Sequence, residues 1–276
     1  MEVLDEASSE SSPKRVVISK SSFISIIRSN SGLVKDIECT EHVDLNQIVF
    51  PQISLENVKV AGLKITEFSG NIRLIQVDIN DLSLWKGGDW SKECELEIQD
   101  SNIRNLDLRD CTFSALEINT IKVENFDINK CTAKIFEIKV PSIEKLTIKG
   151  GSIGVFSLFY GYISYLHIAH AAIAKYDFGF QSVRHLSADL DGSKSINFCN
   201  VPMINAKLNW FGDCQLNFDS VRVSELSEFC CSGNTSGKIS ITGASGLGSE
   251  FRDLRFHSSS FNLFEKNSQV PFAHQQ

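Results

Sequence analysis

The sequence predicts an all-β protein folded as a parallel β-helix (β-solenoid), with coils of about 20 residues built from four five-residue faces. Every fifth residue from Ile98 to Val183 is apolar, without interruption. A second apolar residue lies two positions before most of these, so apolar side chains recur at alternating gaps of two and three. Helices need gaps of three and four, and simple strands need gaps of two. Alternating gaps therefore describe a short strand, a corner and another short strand, wound into a coil.

The length of one coil follows from the size of the inward residues. Positions 96, 116, 136, 156 and 176 carry Leu, Phe or Tyr, whereas positions 111, 131, 151 and 171 carry Cys, Gly or Ala. Large and small residues thus segregate with a period of 20. Stacked coils place equivalent residues about 4.8 Å apart, at the usual strand spacing. Each coil then buries its interior only against its neighbours.

The solenoid is predicted to occupy residues 36–263. Residues 1–35 begin Ser- and Glu-rich and are predicted to be disordered, with the apolar stretch 16–27 as a cap or a first irregular coil. The stretch 85–95 breaks the phase and is predicted to be a protruding loop with Trp85 and Trp90. The loop either carries function or packs both indoles on the coil flank. The range 229–250 is predicted to be irregular, and residues 264–276 to form a C-terminal tail.

Several five-residue units resemble those of the pentapeptide-repeat family, which read A-(D/N)-L-x-x. The matching units begin at Leu106, Cys111, Phe126 and Tyr176. The resemblance implies a right-handed quadrilateral β-helix. Half of the positions that the family fills with a small residue hold Leu or Phe here, which implies a wider or flatter coil. A leucine-rich repeat also fits residues 103–113, but residues 116–123 repeat the same spacing where that fold would turn into its convex side.

Composition and charge restrict the environment and the partners of this chain. The net charge is −7, with a pI of about 5.4, which argues against general nucleic-acid binding through a basic stripe. The acidic N-terminus predicts no signal peptide, and therefore a cytoplasmic protein with reduced cysteines. Residues 150–174 contain no Asp, Glu, Lys or Arg, but the five-residue rhythm continues through them, so no membrane span is predicted.

The sequence predicts no catalytic, cofactor-binding or metal-binding residues. Outward carboxylates form columns in which Asp107 stacks with Asp127 and Glu117 with Glu137. Lysines alternate with these carboxylates along the chain, which is typical of a solvated, ion-paired surface.

The outward positions contain one anomaly, a set of apolar and aromatic residues on three consecutive coils. Large exposed apolar patches mark interaction sites, and Tyr and Phe are typical anchors. We therefore predict an interaction patch on a flat, rigid face, for a protein partner or a symmetric homodimer. The alternative is that loops or the N-terminal segment cover these residues. The predicted patch consists of Ile135, Val140, Val155, Phe159, Tyr160, Tyr162, Tyr165 and Phe180.

Three functional hypotheses follow. The first is a non-enzymatic scaffold that presents a rigid face to a protein partner or to itself. The second is a β-helix carbohydrate-active lyase or hydrolase, which needs a cleft with convergent carboxylates. The third is an acidic mimic of DNA that acts on a topoisomerase, as the family resemblance implies. Such a mimic needs a continuous acidic face.

Overall fold

The chain folds as a parallel β-solenoid in the computed structural model, as the sequence predicts. The structure describes residues 14–47, 49–88, 94–179, 182–189, 195–199, 202–211, 215–219, 222–223, 229–234, 238–242 and 262–266. Side chains are described for residues 14–47, 51–88, 94–177 and 187.

One helix and 22 strands make up the described part of the chain. They are β1 (Val16–Val17), α1 (Lys20–Ser29), β2 (Leu33–Lys35), β3 (Ile37–Asn46), β4 (Val49–Glu56), β5 (Lys59–Thr66), β6 (Ser69–Ile75), β7 (Asp78–Trp85), β8 (Glu95–Arg109), β9 (Thr112–Asn129), β10 (Thr132–Lys139), β11 (Ser142–Lys149), β12 (Ser152–Phe159), β13 (Tyr162–Ala169), β14 (Ala172–Gly179), β15 (Ser182–Asp189), β16 (Ser195–Cys199), β17 (Pro202–Phe211), β18 (Gln215–Asp219), β19 (Arg222–Val223), β20 (Phe229–Asn234), β21 (Lys238–Thr242) and β22 (Asn262–Lys266).

Each coil crosses two ladders of parallel strands. The first ladder runs through β2, β4, β6, the first halves of β8 and β9, then β10, β12, β14, β16, β18, β21 and β22. The second runs through β1, β3, β5, β7, the second halves of β8 and β9, then β11, β13, β15, β17 and β20, with β19 also paired to β17. Every strand therefore stacks on the equivalent strand of the previous coil.

The coils have nearly the same length through most of the solenoid, with the period that the sequence predicts, as in the pairing of Thr112 with Thr132. The coil that brings Asp78 onto Lys59 is one residue shorter. The next coil, which brings Asn102 onto Asp78, is longer than its neighbours. Each change in length is absorbed at a corner, and the ladders resume in register after it.

The burial pattern within one strand shows how two faces fit into a single short segment. In β10, Ala133, Phe136 and Ile138 point inward and are buried. The three-residue gap after Ala133 is a corner, because Lys134 has no partner in a ladder that pairs the residues on either side of it. This is the alternation of twos and threes that the sequence predicts, and it confirms the assignment of inward positions.

The corners between strands have a second geometry. At regular intervals along the chain a non-glycine residue adopts a positive φ, including Lys130 (53°), Val140 (50°) and Tyr160 (59°). The amide N–H of Val140 donates to the carbonyl of Phe159 on the next coil, at 2.9 Å. This left-handed conformation costs roughly 1–2 kcal/mol for a residue with a Cβ, and the inter-coil hydrogen bond helps to hold it.

An amphipathic helix covers the N-terminal end of the solenoid. Ser19 caps α1 by accepting a hydrogen bond from the amide N–H of Ser22. Phe23 and Ile27 lie four residues apart on one helix face, and both are fully buried in the solenoid interior. Residues 14–35, in the range predicted to be disordered or capping, therefore form β1, α1 and β2, because their apolar side chains close the first coil. Residues 1–13 lie outside the described residues.

Large aromatic residues stack along the interior in the column that the sequence predicts. Phe136 stacks on Phe156 with ring centroids 4.9 Å apart. Tyr176 and Phe126 meet this pair edge-on, at 6.2 Å from Phe156 and 6.1 Å from Phe136. The small column at positions 111, 131, 151 and 171 leaves room for these rings inside the coil.

The structure also tests the sequence predictions for the ranges 229–250, 264–276 and 150–174. The range 229–250, predicted to be irregular, contains β20 and β21, which pair with β17 and β18 after longer connections than those of the preceding coils. The predicted tail 264–276 begins within β22, which pairs with β21. The uncharged stretch 150–174 forms β12, β13 and the start of β14, so it is not a helix. In the described part of the chain, no helix has the length and apolar character to cross a membrane.

Candidate functional site

The described exposed hydrophobic residues concentrate at two places on the surface. Eight large hydrophobic side chains are exposed there. Three of them, Val16, Val17 and Leu33, lie at the N-terminal end. The other five lie on the two consecutive coils formed by β10–β11 and β12–β13, and belong to the predicted patch. They are Ile135 (46%), Val140 (48%), Tyr160 (59%), Tyr162 (42%) and Tyr165 (49%).

Val140, Phe159 and Tyr160 form the centre of this patch, which we name the aromatic corner. Val140 joins β10 to β11, and Tyr160 occupies the equivalent position between β12 and β13. The hydrogen bond from the Val140 amide to the Phe159 carbonyl fixes the two corners against each other. The Phe159 and Tyr160 ring centroids lie 6.3 Å apart, at an interplanar angle of 41°.

The predicted patch does not lie on one flat face. Ile135 pairs with Val155 in the middle of the first-ladder strands, whereas Tyr165 lies in the middle of a second-ladder strand. These positions are five residues to either side of the aromatic corner, and therefore one face away from it in each direction. The patch bends around the corner because the polypeptide turns every five residues. Phe180 lies outside the described residues.

Two members of the predicted patch are less accessible than the sequence predicts. Val155 and Phe159 point outward but are only half-exposed. Val155 lies between Ile135 and Lys175 of the adjacent coils, which pair with it on either side. A repeating pattern gives the direction of a side chain but not the neighbours that cover it. For this reason the sequence predicts a greater exposure of these two side chains than the structure has.

Charged residues border the aromatic corner but do not enter its second coil, because residues 150–174 carry no acidic or basic side chain except histidine. On the preceding coil, Lys139 forms an ion pair with Glu137 at 2.8 Å. The hydrogen bond to Glu137 raises the pKa of Lys139 above its usual value. On the following coil, Lys175 pairs with Asp177 at 2.5 Å. The corner is therefore an apolar surface between two ion-paired margins.

Trp85 is not in a projecting loop. It ends β7 and pairs with Arg109 of β8 in the second ladder. Its ring lies 3.7 Å from the Lys64 ammonium and 5.1 Å from the Arg109 guanidinium. Its indole N–H donates to the Asp107 carboxylate at 3.2 Å. The half-buried indole thus packs on the solenoid flank, and β8 already begins at Glu95. Trp90 lies outside the described residues.

The outward carboxylates form the columns that the sequence predicts. Glu97, Glu117 and Glu137 are in register on three successive coils. At one end of the column, Glu97 forms an ion pair with Arg73, whose Nε lies 2.9 Å from the carboxylate. At the other end, Glu137 forms an ion pair with Lys139. Within the described residues, no three His, Cys, Asp or Glu side chains lie close enough together to hold a metal ion.

The four described cysteines are buried free thiols. Cys111 and Cys131 lie in the same inward column of adjacent coils. A hydrogen bond with Cys131, together with burial, raises the pKa of Cys111 far above its usual range. Burial raises the pKa of Cys94 to about 11, and its thiol donates to the Gly70 carbonyl at 3.0 Å. Cys94 and Cys111 are therefore protonated at neutral pH and act as small packing residues.

A groove that the sequence does not predict runs beside the aromatic corner, along the second ladder. We name it the side groove, and it encloses about 440 Å³. Its floor is a column of outward residues at a spacing of 20, which is a signal that the sequence contains. The floor residues are Asn102, Lys122, Ser142 and Tyr162.

Comparison with protein-family models, with curated protein sequences and with solved structures gave no match to this chain.

Proposed function

We propose that this protein is a non-enzymatic scaffold whose rigid solenoid presents the aromatic corner to a protein partner or to a second copy of itself. The observation that carries the proposal is the concentration of exposed hydrophobic residues. Apart from the N-terminal end, every large hydrophobic side chain exposed in the described part of the chain lies on two adjacent coils. Soluble proteins rarely expose such a cluster unless it binds something.

The backbone at the corner supports the same proposal. Val140 has a φ of 50° and is 48% exposed. A β-branched residue is unfavourable in this conformation, and an apolar side chain gains nothing from contact with water. Asp100 and Thr120 occupy the equivalent corner on earlier coils with φ values of 49° and 51°. Polar residues therefore suit this position, and a hydrophobic residue there is explained by a contact made on association.

The rigidity of the scaffold favours binding at this corner. Ladder hydrogen bonds hold the strands on both sides of the corner, so little backbone order is lost when a partner docks. The patch covers two coils and bends around one corner. It therefore fits a concave or grooved partner surface, and two copies related by a two-fold axis would bury the corner of each against a neighbouring face of the other.

We further propose that the chain is a divergent relative of the pentapeptide-repeat family and that it acts in the cytoplasm. The five-residue spacing of inward residues supports the first statement, and the free buried thiols support the second. The net charge of −7 argues against general nucleic-acid binding. The Glu97–Glu117–Glu137 column is bordered by Arg73 and Lys139, so it is short for a mimic of duplex DNA.

The test replaces Tyr160 with Asp and measures association by light scattering over a range of protein concentrations. Asp100 already adopts the same backbone conformation at this corner, so Tyr160→Asp is expected to fold. Thr120→Asp is the matched control, because it adds the same charge at the same corner two coils away. We expect Tyr160→Asp to shift a dimer to monomer, and Thr120→Asp to leave the dimer unchanged.

If the wild-type protein is monomeric at high concentration, the partner version is tested by chemical cross-linking in native lysate. A partner that is captured by the wild type and by Thr120→Asp but lost by Tyr160→Asp supports the proposal. Val140→Asn adds a second readout, since it should stabilise the fold by relieving backbone strain while it weakens association. Equal association by all four proteins would refute a binding role for the corner.

A further inference from the structure

The side groove has a polar floor with one aromatic residue at its end. Asn102, Lys122, Ser142 and Tyr162 follow one another on four successive coils. At strand spacing, the distance from Asn102 to Tyr162 is roughly 14 Å. The groove therefore runs parallel to the solenoid axis.

The wall of the groove is the neighbouring corner of the same coils, which carries Arg104, Glu124 and Glu144. Arg104 pairs with Glu124 at 3.0 Å. Lys122 on the floor and Glu144 on the wall make no ion pair within the described residues. The two basic and two acidic groups give the groove no net charge. Lys122 and Glu144 leave a donor and an acceptor available to a ligand, so the groove suits a neutral, hydrogen-bonding molecule.

The orientation of Tyr162 distinguishes this groove from an ordinary polar surface. The Ser164 hydroxyl donates to the Tyr162 hydroxyl at 3.1 Å. Ser164 lies only two residues further along the same strand, so the ring must lean along the strand rather than stand upright. Its register neighbours are Ser142 and Ser182, both small. The ring stays accessible to solvent in this position, with 42% of the residue exposed.

The main chain of the groove is already occupied. The Tyr162 amide donates to the Pro141 carbonyl at 2.8 Å, and the parallel ladders use the amides and carbonyls of the flanking strands. An extended peptide that binds by adding a strand needs free main-chain groups at a sheet edge, and the groove does not offer them. Its ligand must be recognised by side chains alone, through hydrogen bonds and one stacking surface.

We propose that the side groove binds a neutral, extended oligosaccharide, with one sugar ring stacked on the exposed ring of Tyr162. The apolar face of a sugar ring packs on an aromatic ring, while its hydroxyls both donate and accept hydrogen bonds. Successive sugars lie over Ser142, Lys122 and Asn102, because one coil spacing is close to the length of one sugar unit. Lys122 donates to sugar hydroxyls, and Glu144 accepts from them.

The test is titration of the full-length protein with neutral linear tetrasaccharides of glucose, mannose, xylose and N-acetylglucosamine, followed by saturation-transfer NMR. Tetragalacturonic acid and tetraglucosamine serve as charged comparators. We expect at least one neutral tetrasaccharide to bind. We expect Tyr162→Ala to lower its affinity about tenfold, because an aromatic contact is lost. Tyr162→Phe keeps the ring and should keep most of the affinity, whereas Lys122→Ala and Glu144→Gln should each weaken binding.

Tyr160→Asp separates this proposal from the proposed scaffold function. Tyr160 belongs to the aromatic corner and does not line the groove, so this variant should bind the tetrasaccharide as well as the wild type does. Two results would overturn the proposal. One is that no neutral tetrasaccharide binds, or that only a charged one does. The other is that Tyr162→Ala binds as tightly as the wild type. Whether Tyr160→Asp loses protein association has no bearing on either of these two sugar-binding results.

Discussion

Replacement of Phe156 by Ala is expected to destabilise the protein by about 4–5 kcal/mol. Phe156 is fully buried, and its ring contacts those of Phe136 at 4.9 Å and Tyr176 at 6.2 Å. Removal of a buried Phe side chain costs about 3–5 kcal/mol through lost burial and a residual cavity. Loss of two aromatic contacts places this site towards the upper end of that range. The stacked coils cannot close the cavity, because ladder hydrogen bonds fix their separation.

Phe159→Ala on the same strand is the matched control. Phe159 is half-exposed, so its truncation leaves no closed cavity and removes about half of the apolar burial, worth about 1 kcal/mol. Urea denaturation followed by circular dichroism and by tryptophan fluorescence measures both variants. Coincident transitions from the two probes are required before the midpoints are converted to free energies. Equal losses for the two variants would show that the assignment of inward and outward positions is incorrect.

Four further predictions concern stability. Ile128→Asp should cost at least about 4 kcal/mol because it places a carboxylate in the sealed interior, while Asn129→Asp, on an exposed neighbour, should change the urea midpoint little. Thr147→Val should raise the free energy of unfolding by about 1 kcal/mol, since the buried Thr147 hydroxyl has no hydrogen-bond partner among the described residues; an unchanged or lower midpoint would contradict this. Trp85→Ala should lower stability by about 2 kcal/mol through lost packing and cation–π contacts, and a midpoint equal to that of the wild type would indicate a loose loop instead. The pKa of Cys94 is raised to about 11 in the folded protein, against about 8.5 when unfolded. The contribution of this thiol to stability is therefore fully present below pH 8.5 and is lost as the pH rises towards 11. Cys94→Ala should flatten this decline in the free energy of unfolding.

Most of the fold could be predicted because the spacing of the inward residues repeats along most of the chain and fits neither a helix nor a straight strand. A gap of three between inward residues, as between Ala133 and Phe136, cannot be met by a straight strand, so it marks a corner. The left-handed corners could not be predicted, since Lys130, Val140 and Tyr160 are not residues that favour this conformation. At Lys130 and Val140 the inter-coil hydrogen bonds outweigh local preference, and a single sequence does not show that balance.

The candidate site was less predictable than the fold. The exposure of Val140 and Tyr160 follows from their outward positions, whereas the shielding of Val155 depends on the length and direction of neighbouring side chains. The placement of Trp85 on the flank depends on where the second ladder resumes after the insertion. In the side groove, the orientation of the Tyr162 ring depends on a hydrogen bond from Ser164. Such contacts follow from three-dimensional packing and leave no periodic signal in the sequence.

The unequal coil lengths have a consequence for how such a protein can diversify or be engineered. Between Trp85 and Glu95 the chain holds more residues than other corners do, yet both ladders continue in register beyond it. Lengthening a connection whose ends are fixed carries an entropic cost that grows only with the logarithm of its length. This corner should therefore accept a grafted peptide, such as an epitope tag or a protease site, without shifting the coils on either side. Insertions and deletions at corners would then accumulate in a lineage while the stack of strands persists.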